Sequence, residues 1–497
     1  MKSHSTPPAA TATQLKRSLK VRHISMIAVG GSIGTGLFVA SGSVVASAGA
    51  GGAVAAYLLI GIMVYFVMMS LGELAAYMPV SGSFATYGER FVDPGFGFAL
   101  GWNYWCNGAV TIAVDLVAAQ IIMAYWFPSV PGIYWSAGLL ALMVGINSAS
   151  VRGFGETEFW FALIKVVTIL AFIVTGLLMI FGILKGGETA SWQNILSTKT
   201  AFTGGLPAMF GVMMIAGFSF QGVELVGVAA AESENPHKTI PLAIRRVFWR
   251  ILLFYVIAIV LIGLLLPYND PSLTKNTLAD IATSPFTLIF ERAGLAFAAG
   301  LMNAVVLTAI TSSGNSVMYA SVRILHALAQ HNLAPKMFAK LSANGIPRNA
   351  LYATALVAML CFATALTEDQ RVYFWLLNLS GMTGFIAWLG IAVSHYRFRK
   401  GFIAQGHSLS ELPYRALFFP WGPLLAFTLC SVVIVGQNYQ AFMADSIDWM
   451  AVVATYIGIP VFLLLWFGYR LKHKTAFVRE QDMCFEGANI APEATSH

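Results

Sequence analysis

Charge is scarce in this sequence: Asp, Glu, Lys and Arg make up 10% of its 497 residues, while 58% are hydrophobic. A water-soluble domain carries roughly 25% charged residues, so the composition excludes one and indicates an integral membrane protein. The four cysteines, Cys106, Cys361, Cys430 and Cys484, have no paired spacing, which leaves neither a disulfide framework nor a metal site. The glycine-rich Gly31-Ser-Ile-Gly-Thr-Gly36 has the spacing of neither a dinucleotide nor a phosphate loop, and no Lys-Ser or Lys-Thr follows it. Nucleotide binding is therefore unsupported. No nucleophile elbow is present, so an intramembrane hydrolase lacks its chemistry. The polar, basic stretch Met1–Arg22 has no apolar core or cleavage site behind it and reads as a cytoplasmic tail.

What is abundant is apolar sequence in runs of about 20 residues, the length that crosses a bilayer. Twelve such runs can be placed, at 24–47, 53–77, 97–127, 133–150, 158–184, 206–230, 243–267, 294–322, 350–366, 372–395, 418–437 and 450–469. The net charge of +7 sits mostly in the connectors between them, which argues for membrane orientation and against a nucleic-acid partner. With the N-terminus in the cytoplasm, about 23 Lys and Arg fall inside and about five outside, and an even span count brings the C-terminus back inside. The expected fold is an all-α membrane protein of twelve transmembrane helices. Its parts are a tail at 1–22, a ten-helix core at 23–395, two peripheral helices at 396–470 and a tail at 471–497.

Two of the runs are poor continuous helices. Between Ala28 and Ser43 stand Gly30, Gly31, Gly34 and Gly36, residues that weaken a helix and tolerate open backbone. Lipid does not permit unpaired peptide groups at membrane depth unless protein, water or a ligand takes them up, so a break here implies a cavity. A half-helix beginning near Thr35 would aim N–H donors at an anion, and the carbonyls before it would suit a cation. The head of an α-amino acid carries both charges. The alternative is a glycine-rich helix-packing face. The sixth run holds a second interruption, Gly217-Phe-Ser-Phe-Gln-Gly-Val-Glu224, five runs after the first. Breaks at matching positions of two five-span halves point to an inverted-repeat transporter with its site at the midplane.

Three ionisable residues fall within the runs, Asp115, Lys165 and Glu224, and intramembrane charges usually face a cavity or each other. Glu224 follows the second break and can contact open backbone, a substrate ammonium or a proton; the plainer reading is a structural tie. Lys165 can stand in for a fixed cation or trade a proton, the alternative being an ammonium that snorkels to an interface. Asp115 can attract a cationic side chain or pair with another helix. Tyr104, Trp105 and Asn107 can wall the pocket. Glu73, His23, His326 and His395 read as residues near the membrane interface, Glu73 with a structural role.

At these residues the chain resembles the bacterial amino acid transporter family of the amino acid-polyamine-organocation superfamily. The likeness runs from Arg22 to about Tyr469 and is carried by Gly31–Phe38, Gly72–Tyr87, Phe218–Leu225, Ala231–Pro236 and Ile240-Pro241. Within the family it is most similar to the lysine carriers, at Gly101–Trp105, Val114–Gln120, Ser150–Gly155 and Gly384–Gly390. The resemblance implies ten core spans in two inverted halves plus two peripheral ones, in a bacterial cytoplasmic membrane. It also implies proton-coupled uptake of L-lysine by alternating access. It places the substrate carboxylate on Gly34, Thr35 and Gly36, and the α-ammonium on carbonyls near Ser32, Phe218 and Gln221 beside Gly222. It makes Phe218 a gate, Glu224 a gating or proton-linked carboxylate, and Lys165 the cation that replaces sodium. Cys106 and Gly108 stand where bulkier neighbours of Asn107 are expected, which bears on pocket size. No cofactor or protein partner is implied. An arginine or ornithine carrier or exchanger, and a lysine-binding membrane sensor, are the alternatives.

Overall fold

The computed structural model describes residues 19–149, 151–187, 190–197, 201–270, 273, 284–363, 371–437, 447 and 449–485. In chain order its helices are α1 (Val21–Ser32), α2 (Thr35–Phe38), α3 (Ser41–Tyr77), α4 (Ser83–Phe91), α5 (Pro94–Ala124), α6 (Gly132–Ala149), α7 (Val151–Ile180), α8 (Gln193–Leu196), α9 (Gly205–Phe220), α10 (Leu225–Ala229) and α11 (Pro236–Leu265). There follow α12 (Pro285–Arg292), α13 (Ala296–Gln330), α14 (Arg348–Ala358), α15 (Arg371–Ala404), α16 (Trp421–Gly436), α17 (Trp449–Tyr456) and α18 (Gly458–His473). Among the described residues the sole pairing of extended backbone is a parallel bridge between Leu19 and Ser233. Among the described residues six helical stretches are long and apolar enough to cross a bilayer, and Leu252–Leu265, Arg348–Phe362 and Trp421–Gly436 are shorter apolar helices.

Local sequence sets where several helices begin. Asp93 accepts the Gly95 amide at 2.9 Å with Pro94 in the first turn, and Ser284 does the same for Phe286 at 3.2 Å ahead of Pro285. Both arrangements satisfy an orphan donor and use proline where no N–H is needed. Helix α5 packs against α4, α13 and α15, while α3 packs against α9 and α11; α1 lies between α7 and α13, and α2 lies on α9. The two short half-helices α2 and α10 are thus enclosed by long ones, and every residue of both is buried.

The first apolar run is interrupted where its glycines stand: α1 ends at Ser32, Ile33 and Gly34 leave the helix, and α2 begins at Thr35. The sixth run breaks between Phe220 and Leu225. The first and second runs part close to where the sequence placed the gap, since Gly49 (φ 74°, ψ 166°) leaves helical geometry inside α3 and two helical segments meet there. Helix α15 continues to Ala404, so the boundary at 395 falls inside a continuous helix.

The residues read as lying near the interface are buried among helices. Glu73, His395 and Arg399 are buried together: Arg399 donates Nε at 2.6 Å and Nη2 to the two Glu73 oxygens, and the Ala416 amide donates to Oε2 at 2.6 Å. His395 Nε2 lies 3.2 Å from Glu73 Oε1. His23 is buried 3.1 Å from Glu156, and His326 is buried with Nδ1 3.0 Å from the Phe338 carbonyl. Glu73, His23 and His395 have partners far away in sequence, which sequence alone cannot display. Glu73 ties α3 to α15 and to the chain before α16, in keeping with a structural role. Replacing Glu73 with Gln leaves the Arg399 guanidinium buried without its bidentate partner, and truncating one member of such a pair costs about 3–5 kcal/mol. The expected result is a clearly lower unfolding midpoint in detergent; an unchanged midpoint contradicts this role.

Candidate functional site

The two interrupted helices meet. Their break residues line one cavity, together with side chains from α5 and α13: Gly31, Ser32, Gly34, Thr35, Gly36, Phe218, Gln221, Gly222 and Glu224 from the breaks, then Tyr104, Asn107, Thr111, Ser313 and Val317. The enclosed space is about 20 Å³, room for a water molecule. Close approach of backbone makes it. A Cβ on Gly36 would stand 2.5 Å from the Ser219 Cα, and Gly222, at φ 101°, would drive a Cβ into the Gly31 carbonyl.

The two breaks differ in how their peptide groups are satisfied. At the first, Ile33 N–H bonds Val29 and Phe38 N–H bonds Gly34, but the amides of Gly34, Thr35 and Gly36 find no acceptor among the described residues. Three converging donors at the start of a half-helix suit a carboxylate. At the second, Gln221 N–H bonds Phe218 O at 3.1 Å, Leu225 N–H bonds Gly222 O at 3.1 Å, and Glu224 accepts the Gly222 amide at 3.1 Å. That break closes on itself.

The carbonyls before the first break already have partners. The Tyr255 hydroxyl stands 2.7 Å from Ser32 O and 2.6 Å from Ser219 O, and Ser313 donates to Gly31 O at 3.3 Å. A carbonyl has two lone pairs, so each can still accept from an ammonium. Gln221 donates to Gly381 O at 3.0 Å, which anchors the second break to α15.

Glu224 lines the cavity and is held by three neutral donors: Tyr104 Oη at 3.0 Å, Trp388 Nε1 at 3.1 Å and the Gly222 amide. Tyr104 therefore serves as a clamp on Glu224 as well as a wall. Asp115 is not on the lining. It is buried one hydrogen bond behind Thr35, whose hydroxyl donates to Oδ1, and its Oδ2 has no partner. Lys165 is fully buried, with no exposed head at an interface, and its Nζ donates to Gly30 O in the last turn of α1. Gly108 and Cys106 do not line the cavity either; Gly108 faces Ser321 across the contact of α5 with α13.

Sequence reading missed Glu158, which is buried beside Gly30 and accepts from Ser312. It stood at the very edge of a run, two residues from the half-buried Glu156. Its spacing of seven from Lys165, two helical turns on one face, was the signal available. Trp388 and Tyr255 had no signal, because their partners are a carboxylate and carbonyls far away in sequence.

An all-helical membrane protein with two interrupted helices around a small polar cavity has the build of a small-molecule permease. The chain matches the family described as "Amino acid permease" over residues 23–481 and belongs to it, a family of transporters and not of enzymes. It is 63% identical over 474 residues to the lysine-specific permease LysP of Escherichia coli (strain K12), covering 95% of this chain and 97% of that protein. It is 50% identical to the histidine permease HisP of Lactococcus lactis subsp. cremoris (strain MG1363), over 94% of this chain and 97% of that one. It is 49% identical to that organism's lysine-specific permease LysP, over 96% and 94%.

Because the Gly36 position is set by backbone contact, Gly36→Ala should part α2 from α9 and lower stability by about 1–3 kcal/mol. Gly138→Ala on α6, where an added Cβ meets nothing within 4 Å, should leave it unchanged. Equal unfolding midpoints for the two variants would contradict the close approach.

Proposed function

We propose that this permease imports L-lysine with protons across a bacterial cytoplasmic membrane by alternating access. The single observation that carries this reading is the set of unaccepted amides at Gly34, Thr35 and Gly36 facing a cavity that also holds the Glu224 carboxylate. The substrate carboxylate takes the three amides, and the α-ammonium takes the carbonyls of Ser32, Phe218 and Gln221. Phe218 lies over the cavity as its gate. The identity of 63% to a lysine-specific permease favours lysine, whereas near-equal likeness to a histidine permease and a second lysine permease shows that identity near 50% does not set the substrate.

In this account the twelve runs all span, with both termini cytoplasmic. Residues 23–395 form two inverted five-span halves, and 396–470 supply two peripheral spans. Glu224 is the gating carboxylate, Lys165 takes the place of a sodium ion and exchanges a proton, and Asp115 supplies negative charge for the side-chain ammonium from behind Thr35. Opening must separate Phe218 and Tyr104 before a molecule as long as lysine can enter, since the closed cavity holds about one water.

The test is uptake of labelled lysine into proteoliposomes under an imposed pH gradient without sodium. Wild-type protein should concentrate lysine, and unlabelled histidine, arginine and ornithine should compete poorly. Binding without accumulation would replace transport with sensing, and strong competition would broaden the substrate class. Glu224→Gln should reduce accumulation to equilibration; wild-type accumulation removes Glu224 from the coupling. Asp115→Asn should weaken lysine binding at least about tenfold, some 1.4 kcal/mol, and a neutral analogue far less. Equal losses would leave Asp115 a purely structural partner of Thr35.

A further inference from the structure

Helix α7 carries a second buried ionisable side chain that the reading above does not use. Glu158 and Lys165 are seven residues apart, so they share one face of α7, and both reach the same residue of α1. Lys165 Nζ donates to the Gly30 carbonyl, while Glu158 Oε1 occupies the space where a Gly30 side chain would begin. Both side chains are fully buried. Ser312 on α13 donates to Glu158 Oε1, and Asn315 and Ser316 of the same helix also lie against the carboxylate. A fully buried carboxylate among neutral side chains is expensive for packing alone, and it stands two turns along α7 from a buried ammonium.

We propose that Glu158 is the counter-charge of Lys165: a positioning residue that, with Lys165, packs on Gly30 and holds the end of α1 at the break. This rests on the reading of Lys165 as the proton-linked cation. The groups that act on the pair are few. The charged ones are Glu158 and Lys165 themselves and Asp115 on α5, with Tyr373 of α15 beyond Asp115. Helix α13 brings the neutral Ser312, Asn315 and Ser316, and α1 brings only the Gly30 backbone. Of the two carboxylates, Asp115 is engaged by Thr35 on the substrate side, which leaves Glu158 as the one against Gly30. The arrangement also accounts for glycine at position 30, since any side chain there displaces the carboxylate.

Two transport modes separate this role from general structure. In proteoliposomes, Glu158→Gln should retain lysine exchange in counterflow, which needs no gradient, within about threefold of wild type. Accumulation driven by a pH gradient should fall at least tenfold. The pH of half-maximal uptake should move at least about one unit towards acid, because an ammonium without its anion holds its proton less well. Glu158→Asp should restore part of both. A folded Glu158→Gln protein with the wild-type pH profile and accumulation overturns the proposal. If Glu158→Gln does not fold, Glu158→Gln combined with Lys165→Met should, since it removes both charges; failure of the double variant as well overturns it. Absence of gradient-driven uptake by the wild type would instead be a failure of the proton-coupled reading.

Discussion

Three peptide amides at Gly34, Thr35 and Gly36 that find no acceptor are the constraint to which the surrounding protein is fitted. A buried donor left unpaired costs about 1–3 kcal/mol, so the first break persists only because neighbours hold both of its ends. Lys165 takes the Gly30 carbonyl, Ser313 the Gly31 carbonyl and Tyr255 the Ser32 carbonyl, while the Thr35 hydroxyl is tied to Asp115. Four helices thus brace a segment of a few residues. Gly34, Thr35 and Gly36 all line one cavity.

The second break solves the same problem from within. Turn hydrogen bonds and the Glu224 carboxylate satisfy its amides, and Tyr104 and Trp388 then fasten Glu224 to α5 and α15. The two interruptions are therefore not equivalent: one offers donors to a ligand, and the other offers a carboxylate and a gate. Away from the cavity, the ends of the bundle are tied by buried ion pairs. Glu73 with Arg399 joins α3 to α15, and Arg323, 2.9 Å from Glu232 and lying over the Tyr319 ring, joins α13 to the turn after α10. Leu19 pairs by backbone with the residues around Ser233, so the chain ahead of α1 is held at that same turn. A movement that opens the cavity through α1 or α10 must disturb this second group of contacts.

Much of this was legible in the sequence because glycine spacing and buried charge are written locally. The breaks near Thr35 and Gln221 follow from residues adjacent in the chain, whereas the meeting of Ser32, Thr35, Gly36, Phe218, Gln221 and Glu224 was implied by the family resemblance. What could not be read depended on partners far away. His23, His326 and His395 were placed at the interface because basic neighbours surround them in sequence, yet helices from elsewhere cover them. Asp115 was read as a carboxylate that could turn into the cavity toward a cationic side chain, but Thr35, on the lining, takes its Oδ1. Glu158 was hidden by its position at the boundary of an apolar run. The separation that hydropathy placed between the first two runs, by contrast, falls at Gly49, where α3 leaves helical geometry.

The claim on which the account rests is that an amino acid's carboxylate occupies the amides of the first break. An experimental structure of the full chain with bound L-lysine tests it directly. The account predicts carboxylate oxygens within hydrogen-bond distance of the Thr35 and Gly36 amides and the α-ammonium toward the Ser32 and Phe218 carbonyls. Lysine bound elsewhere, or in that cavity with its carboxylate turned away from α2, would contradict it.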